Sequence, residues 1–143
     1  MTYEEATDVL AIVYAYYQAN FKNFSEANAS AVAFTWSVSF KNVPVEVMYI
    51  AIMKWIDSHK FPPKTCEIKD IISRTLYYEA KGALDYHEKH QNLSPKALKQ
   101  YQNIFQIASG LRSYDSELTL SDFINDDGDY LLYGTYGNDR LLE

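Results

Sequence analysis

The chain has 143 residues, of which 48% are hydrophobic, enough apolar material for one compact core. It contains no run of 18 apolar residues and no charged segment before a short apolar run, so the sequence argues against a membrane span and a secretory signal. The single cysteine excludes an internal disulfide and a cysteine-based zinc cluster, and it indicates a reducing, cytoplasmic compartment.

The charge is distributed unevenly along the chain. Residues 1–113 carry 12 Lys and Arg against 11 Asp and Glu, or +1, whereas residues 114–143 carry one Arg against eight acids, or −7. Acidic segments repel nucleic acid, and they are typical either of partner-binding tails or of solubilising tails. We therefore expect a helical domain over residues 1–113, followed by an acidic, aromatic-rich segment over residues 114–143 that is flexible or loosely packed.

Two helices are predicted in the first forty residues. The first begins at Thr2, because Thr2 and Glu5 form a capping box. Its apolar stripe consists of Ala6, Val9, Leu10, Val13 and Tyr17. Residues 21–26 interrupt this pattern and predict a loop, so the second helix should begin near Asn28. The inner face of that helix consists of Val32, Ala33, Trp36 and Phe40.

Two further helices follow on either side of a proline pair. Pro44 suits the first turn of the third helix, which should end near His59 with Met48, Ala51, Ile52, Trp55 and Ile56 facing inward. We interpret Trp36 and Trp55 as core residues, and His59 as a cap at the end of this helix. Pro62-Pro63 then forces an extended corner. Thr65 can cap a fourth helix, whose apolar stripe consists of Ile68, Ile71, Ile72, Thr75, Leu76, Ala80, Ala83 and Leu84.

The last predicted helix of the domain has clear end signals. Gly82 is a soft point in the fourth helix, and residues 90–92 are its plausible exit. Ser94-Pro95 then reads as an N-cap followed by proline at the first helical position, and Gly110 can end the helix. The inner face of this fifth helix consists of Leu98, Tyr101, Ile104, Phe105 and Ala108. Four or five helices with short connections predict an all-α fold, a small helical bundle.

The acidic segment carries a group of large side chains. Residues 116–124 suit a short helix, and residues 130–137 suit either an edge strand or an unstructured peptide. A disordered segment binds with moderate affinity, because part of its interaction energy is spent on ordering. We expect its large side chains to anchor a partner. These predicted anchors are Tyr130, Leu131, Leu132, Tyr133 and Tyr136.

The sequence contains no catalytic signature. His87 and His90 are three residues apart, where the H-E-x-x-H zinc motif needs four, so a solvated helix surface is the better interpretation. We interpret Cys66 as a buried or half-buried structural cysteine, and the acids and glycines after residue 125 match neither a calcium loop nor a phosphate loop. We therefore predict no catalytic residue, no metal ligand and no cofactor, and a protein that is not an enzyme.

Positive charge is concentrated around the proline corner. The candidates for a secondary basic surface are Lys60, Lys64, Lys69 and Arg74. Asp57, Glu67 and Asp70 are interleaved with them, so an ordinary solvated face of mixed charge is favoured, and direct nucleic-acid binding is not expected.

One block of the chain carries a family resemblance. Residues 33–72 read AFTWSVSFKNVPVEVMYIAIMKWIDSHKFPPKTCEIKDII. A tryptophan helix, a short F-K-N-V-P link, a helix ending in W-I and then K-F-P-P-x-x-x-E-I resemble the phage helicase loader/inhibitor family, over about the first 80 residues. The resemblance implies a helical N-terminal domain, a flexible C-terminal region that binds the hexameric replicative helicase, and delivery of that helicase to the origin through an initiator protein, in the cytoplasm of a bacterial host.

Two other functions fit the same sequence. A phage protein that inhibits a host factor without loading anything would need the same bundle and the same tail. A DNA-binding replication organiser would instead use the basic corner, and salt-dependent DNA binding would distinguish it from a protein adaptor.

Overall fold

The computed structural model of the chain describes residues 1–109, 123–125, 128 and 130–131, and within these ranges the protein is all-α, as predicted. Five α-helices occur in the described residues. They are α1 (Tyr3–Tyr16), α2 (Glu26–Ser39), α3 (Val45–Ser58), α4 (Thr65–His90) and α5 (Pro95–Ser109), with a 3-10 turn at Gln18–Phe21. None of these helices is long and apolar enough to cross a membrane.

The chain divides into two compact units, Met1–Ile68 and a second unit that begins at Lys69. The division between the two units lies near the start of α4. Hydrophobic periodicity shows which face of each helix is buried, but it carries no information about which helices share a core. The predicted segment 114–143 lies almost entirely outside the described residues.

The ends of the helices follow the predicted capping chemistry closely. In α1, Thr2 Oγ1 accepts a hydrogen bond from the Glu5 N–H at 3.1 Å, and Glu5 Oε1 accepts one from the Thr2 N–H at 2.8 Å, which confirms the capping box. In α5, Ser94 Oγ accepts a hydrogen bond from the Ala97 N–H at 3.1 Å, and Pro95 is the first helical residue.

Several details differ from the prediction. Helix α2 begins at Glu26, two residues before Asn28, because the Ser25 hydroxyl accepts a hydrogen bond from the Asn28 N–H and caps the helix. Helix α4 begins at Thr65, and its first turn is closed by Glu67, whose carboxylate accepts from the Lys64 N–H at 2.9 Å. The helix continues through Gly82 to His90 without a break.

In the first unit, α1 packs against both α2 and α3. The predicted stripe of α1 is buried throughout, and so are the predicted inward residues of α3. Trp36 and Trp55 are buried as well, which confirms that they are core residues. Together these side chains form one apolar core with α1 at its centre.

The Met1 amino group joins the start of α1 to the end of α2. It donates hydrogen bonds to the carbonyl oxygens of Phe40, Lys41 and Val43 at 2.9–3.0 Å. Burial lowers the pKa of this amino group, and the nearby Glu5 carboxylate partly offsets that effect. These carbonyl oxygens lie at and just after the C-terminal end of α2, where the helix dipole favours a positive charge.

Three aromatic rings fill the turn between α1 and α2. The ring centroids of Tyr14 and Phe21 are 4.8 Å apart, and those of Phe21 and Phe24 are 5.2 Å apart, both with edge-to-face geometry. The Tyr14 hydroxyl is buried and finds no hydrogen-bond partner among the described residues. Burial also raises the pKa of Tyr14. This hydroxyl therefore lost its hydration without replacement, which costs stability.

We expect Tyr14→Phe to increase the free energy of unfolding at pH 7 by about 1 kcal/mol, because it removes an unsatisfied buried hydroxyl. The raised pKa of Tyr14 in the folded state means that the unfolded chain ionises first, so stability should fall as pH rises above 10, and less steeply in the variant. Urea denaturation at pH 7 and at a pH above 10 measures the free energy of unfolding of both proteins. Tyr3→Phe, on the exposed side of α1, is the control, and a less stable Tyr14→Phe protein would contradict the expectation.

Candidate functional site

Helix α2 is apolar on two sides. Ala33 and Trp36 are buried in the first unit, whereas Phe34 and Val38 are 64% and 56% exposed. With Ala27 and Ala31 these exposed residues follow each other at intervals of four, three and four, so they share one helix face. We name this face, formed by Ala27, Ala31, Phe34 and Val38, the α2 strip.

The helix that carries the α2 strip has no charged residue after Glu26, and two of its hydroxyl groups are already hydrogen-bonded. No charged residue lies between Glu26 and Lys41. The Thr35 hydroxyl donates to the Ala31 carbonyl at 3.0 Å, and the Ser37 hydroxyl donates to the Phe34 carbonyl at 2.7 Å. Covering this face with another protein would therefore bury apolar area without removing water from a charge on the strip, and the Thr35 and Ser37 hydroxyls would keep their partners.

A second feature of the first unit lies where α3 ends. The His59 ring stacks on Trp55 with centroids 3.5 Å apart and planes 2° apart, and His59 Nδ1 lies 3.1 Å from the Trp55 carbonyl oxygen. This contact confirms the predicted capping role of His59. The Trp55 Nε1–H donates to the Phe61 carbonyl at 2.7 Å, and the Tyr17 hydroxyl donates to the His59 carbonyl at 2.9 Å. Four contacts thus fix the chain between α3 and the proline pair.

The predicted anchors of the acidic segment are only partly described. Leu131 is 2% exposed, which does not fit an exposed anchor. Tyr130 is half-buried and forms an isolated antiparallel bridge with Ile124, whose carbonyl accepts from Gln100 Nε2 at 2.6 Å. Leu132, Tyr133 and Tyr136 lie outside the described residues, and for them partner binding stays a prediction.

The predicted basic surface is divided between the two units. Lys60 and Lys64 belong to the first unit and are exposed. Lys69 and Arg74 belong to the second, where Lys69 is half-buried and has an interaction partner, and Arg74 forms an ion pair with Asp70 at 3.3 Å. Lys60 and Lys64 are therefore the exposed lysines of this group on the first unit, in the segment whose backbone Trp55 holds, and the Glu67 carboxylate is bound to the Lys64 N–H.

His87 and His90, the candidate metal ligands, both make structural contacts. His87 Nδ1 accepts a hydrogen bond from the Leu93 N–H at 3.0 Å, so this ring closes the end of α4, and the His90 ring lies against Tyr86. The described residues contain no group of three or more side chains suited to hold a metal ion. Cys66 is exposed, which corrects the expectation of a buried cysteine, because the buried stripe of α4 begins at Ile68 and Cys66 lies off it.

Two features were missed by sequence reasoning. Glu79 is buried within α4 and has an interaction partner. Its position in the sequence indicates this burial, because Glu79 lies three residues after Leu76 and four before Ala83, on the apolar stripe. The α2 strip was also missed, although a helix without charges between Glu26 and Lys41 departs from the polar outer face that a surface helix usually has.

Comparison with known protein families, curated proteins and solved structures gives no match to this chain.

Tyr17→Phe tests the fixation of the chain after α3. We expect it to lower Tm by about 3 °C, since one hydrogen bond is worth about 1 kcal/mol. Tyr16→Phe, which changes the neighbouring exposed ring, should leave Tm unchanged. Equal Tm values in the two variants would show that the hydrogen bond does not stabilise this segment.

Proposed function

We propose that this chain is a protein-binding adaptor without catalytic chemistry of its own, and that its partner is the hexameric replicative helicase of a phage or prophage. In this role it restrains the helicase and helps to deliver it to the origin. The α2 strip is the surface that contacts the partner. The observation that carries the proposal is the exposure of Phe34 and Val38 on an uncharged helix face.

The α2 strip has the properties of the central part of a protein interface. Such regions are depleted of charge and contain large apolar or aromatic side chains, which supply most of the binding energy when they enter a pocket. Phe34 is suited to this anchor role because it projects from a regular helix, so little conformational entropy is lost on binding. An apolar helix face laid into a groove is a recurring mode of protein recognition.

The size of the α2 strip suits a partner that must be released. A helix of 14 residues is about 21 Å long, so the strip covers only part of an interface of standard size. We therefore expect moderate affinity and measurable dissociation, which a protein that delivers a helicase needs. An initiator protein, the second expected partner, would bind elsewhere on the chain.

The choice of a helicase as the partner is supported by the resemblance of residues 33–72 to the phage helicase loader/inhibitor family. Phe34 and Val38 both lie in that block. The acidic segment can add contacts through Tyr133 and Tyr136. Its deletion is a poor test, however, because residues 114–143 include Phe123 and Leu131, which are buried, so a shortened chain would lose core side chains.

The proposal predicts that Phe34→Ala weakens binding to the replicative helicase encoded in the same genome by at least about tenfold, since it removes the central anchor. Phe61→Ala is the matched control, because it truncates the same type of side chain at a similarly exposed position outside the α2 strip. Titration calorimetry with the helicase hexamer measures both affinities, and circular dichroism verifies that both variants are folded.

Two results would contradict the proposal in different ways. Equal affinity of the Phe34→Ala and wild-type proteins would show that the helicase binds elsewhere, for example on the acidic segment. Failure of the wild-type protein to bind the helicase at all would refute the choice of partner. In that case, the same pair of variants tests the α2 strip against an initiator or another replication protein.

A further inference from the structure

The chain between α3 and α4 combines a fixed backbone with exposed side chains. We name residues 59–64 the 59–64 loop. Its backbone is held by the hydrogen bonds from Trp55 Nε1 to the Phe61 carbonyl and from the Tyr17 hydroxyl to the His59 carbonyl. Pro62 and Pro63 restrict it further. The loop is therefore rigid, although its outward side chains are not part of the core.

Those outward side chains are one aromatic ring between two cations. Phe61 is 70% exposed, and Lys60 and Lys64 are exposed on either side of it in sequence. A single exposed phenylalanine is common on protein surfaces. Here, however, buried Trp55 and Tyr17 hold the backbone that carries it, and such prior fixation reduces the entropy cost of binding a ligand.

An open depression adjoins the same loop. It has a volume of about 350 Å³, and its lining includes Tyr16, Gln18, Asn20, His59 and Lys60. Tyr16 adds a second exposed ring, 60% accessible, and the amide groups of Gln18 and Asn20 can both donate and accept hydrogen bonds. The 59–64 loop and the adjoining depression thus provide two exposed rings, two lysines and two amide side chains.

The local charge is opposite to that of the whole chain. Residues 54–67 contain three lysines and two acids, Asp57 and Glu67, which gives 3 − 2 = +1, whereas the net charge of the protein is −6. Because Lys60 and Lys64 are exposed in this loop, a ligand that binds there should carry negative charge and contact the loop at only a few points. Flat rings linked by single negative charges, spaced along a flexible backbone, meet both conditions.

We propose that the 59–64 loop binds single-stranded nucleic acid, with Phe61 stacking on a base and with Lys60 and Lys64 contacting the neighbouring phosphates. The bases of a duplex are stacked on each other and cannot reach Phe61, so duplex DNA binds less tightly. This reverses the expectation drawn from the mixed charge around the proline corner, because an exposed ring on a hydrogen-bonded backbone adds stacking to a charge that would be too small alone.

The proposal is tested with the full-length protein and fluorescent oligo(dT) and oligo(U) strands of about 20 nucleotides, by anisotropy between about 50 and 200 mM salt. The wild-type protein should bind with a slope of log K against log salt of about −1.4, as expected for two phosphate contacts. Tighter binding of one strand type identifies DNA or RNA as the preferred ligand.

Three variants separate stacking from charge. Phe61→Ala should weaken binding about tenfold and leave the salt slope unchanged, because only stacking is lost. Lys60→Gln combined with Lys64→Gln should bring the slope close to zero. Phe34→Ala, the matched truncation on the α2 strip, should bind like the wild-type protein, so this experiment is independent of the helicase proposal.

Each of three results would overturn the proposal. The first is no binding of either strand by the wild-type protein at the lowest salt. The second is equal affinity of the Phe61→Ala and wild-type proteins, which would mean that charge accounts for the binding without stacking. The third is competition by a poly-glutamate peptide that is as effective as oligo(dT), which would identify an acidic peptide as the ligand.

Discussion

Helix α2 exposes large apolar side chains that its own unit does not cover. One of its sides buries Ala33 and Trp36, while the opposite side exposes Phe34 and Val38, and α2 carries no charged residue after Glu26. Burying an exposed apolar side chain stabilises a protein by about 1.5–3 kcal/mol. The isolated chain does not gain this free energy on folding, whereas a complex that covers the side chain does. The proposed adaptor function depends on this feature of α2.

The first unit carries a second surface with different chemistry. The α2 strip is uncharged and regular, and suits another protein, whereas the 59–64 loop combines an exposed ring with lysines and suits an anionic ligand. The two surfaces depend on the same core, because Trp36 is buried behind one and Trp55 holds the other. A chain with both could contact a helicase and the single strand on which a helicase acts.

Much of the fold follows from local signals in the sequence, and much of the site does not. The capping box of Thr2 and the N-cap at Ser94 were predicted because a cap involves residues only three positions apart. The boundary at Ile68 depends on which helices pack together, which periodicity does not record. The exposure of Phe34 and the burial of Leu131 have the same origin, since each depends on distant parts of the chain.

We expect the α2 strip to be accessible to solvent in the free protein and covered by the partner in the complex. Val38→Cys in a Cys66→Ser background places one thiol on that face, because Cys66 is the single native cysteine. The rate of its modification by a maleimide should be high in the free protein and should fall at least about tenfold when the helicase hexamer is bound. An equal rate in both states would contradict the account.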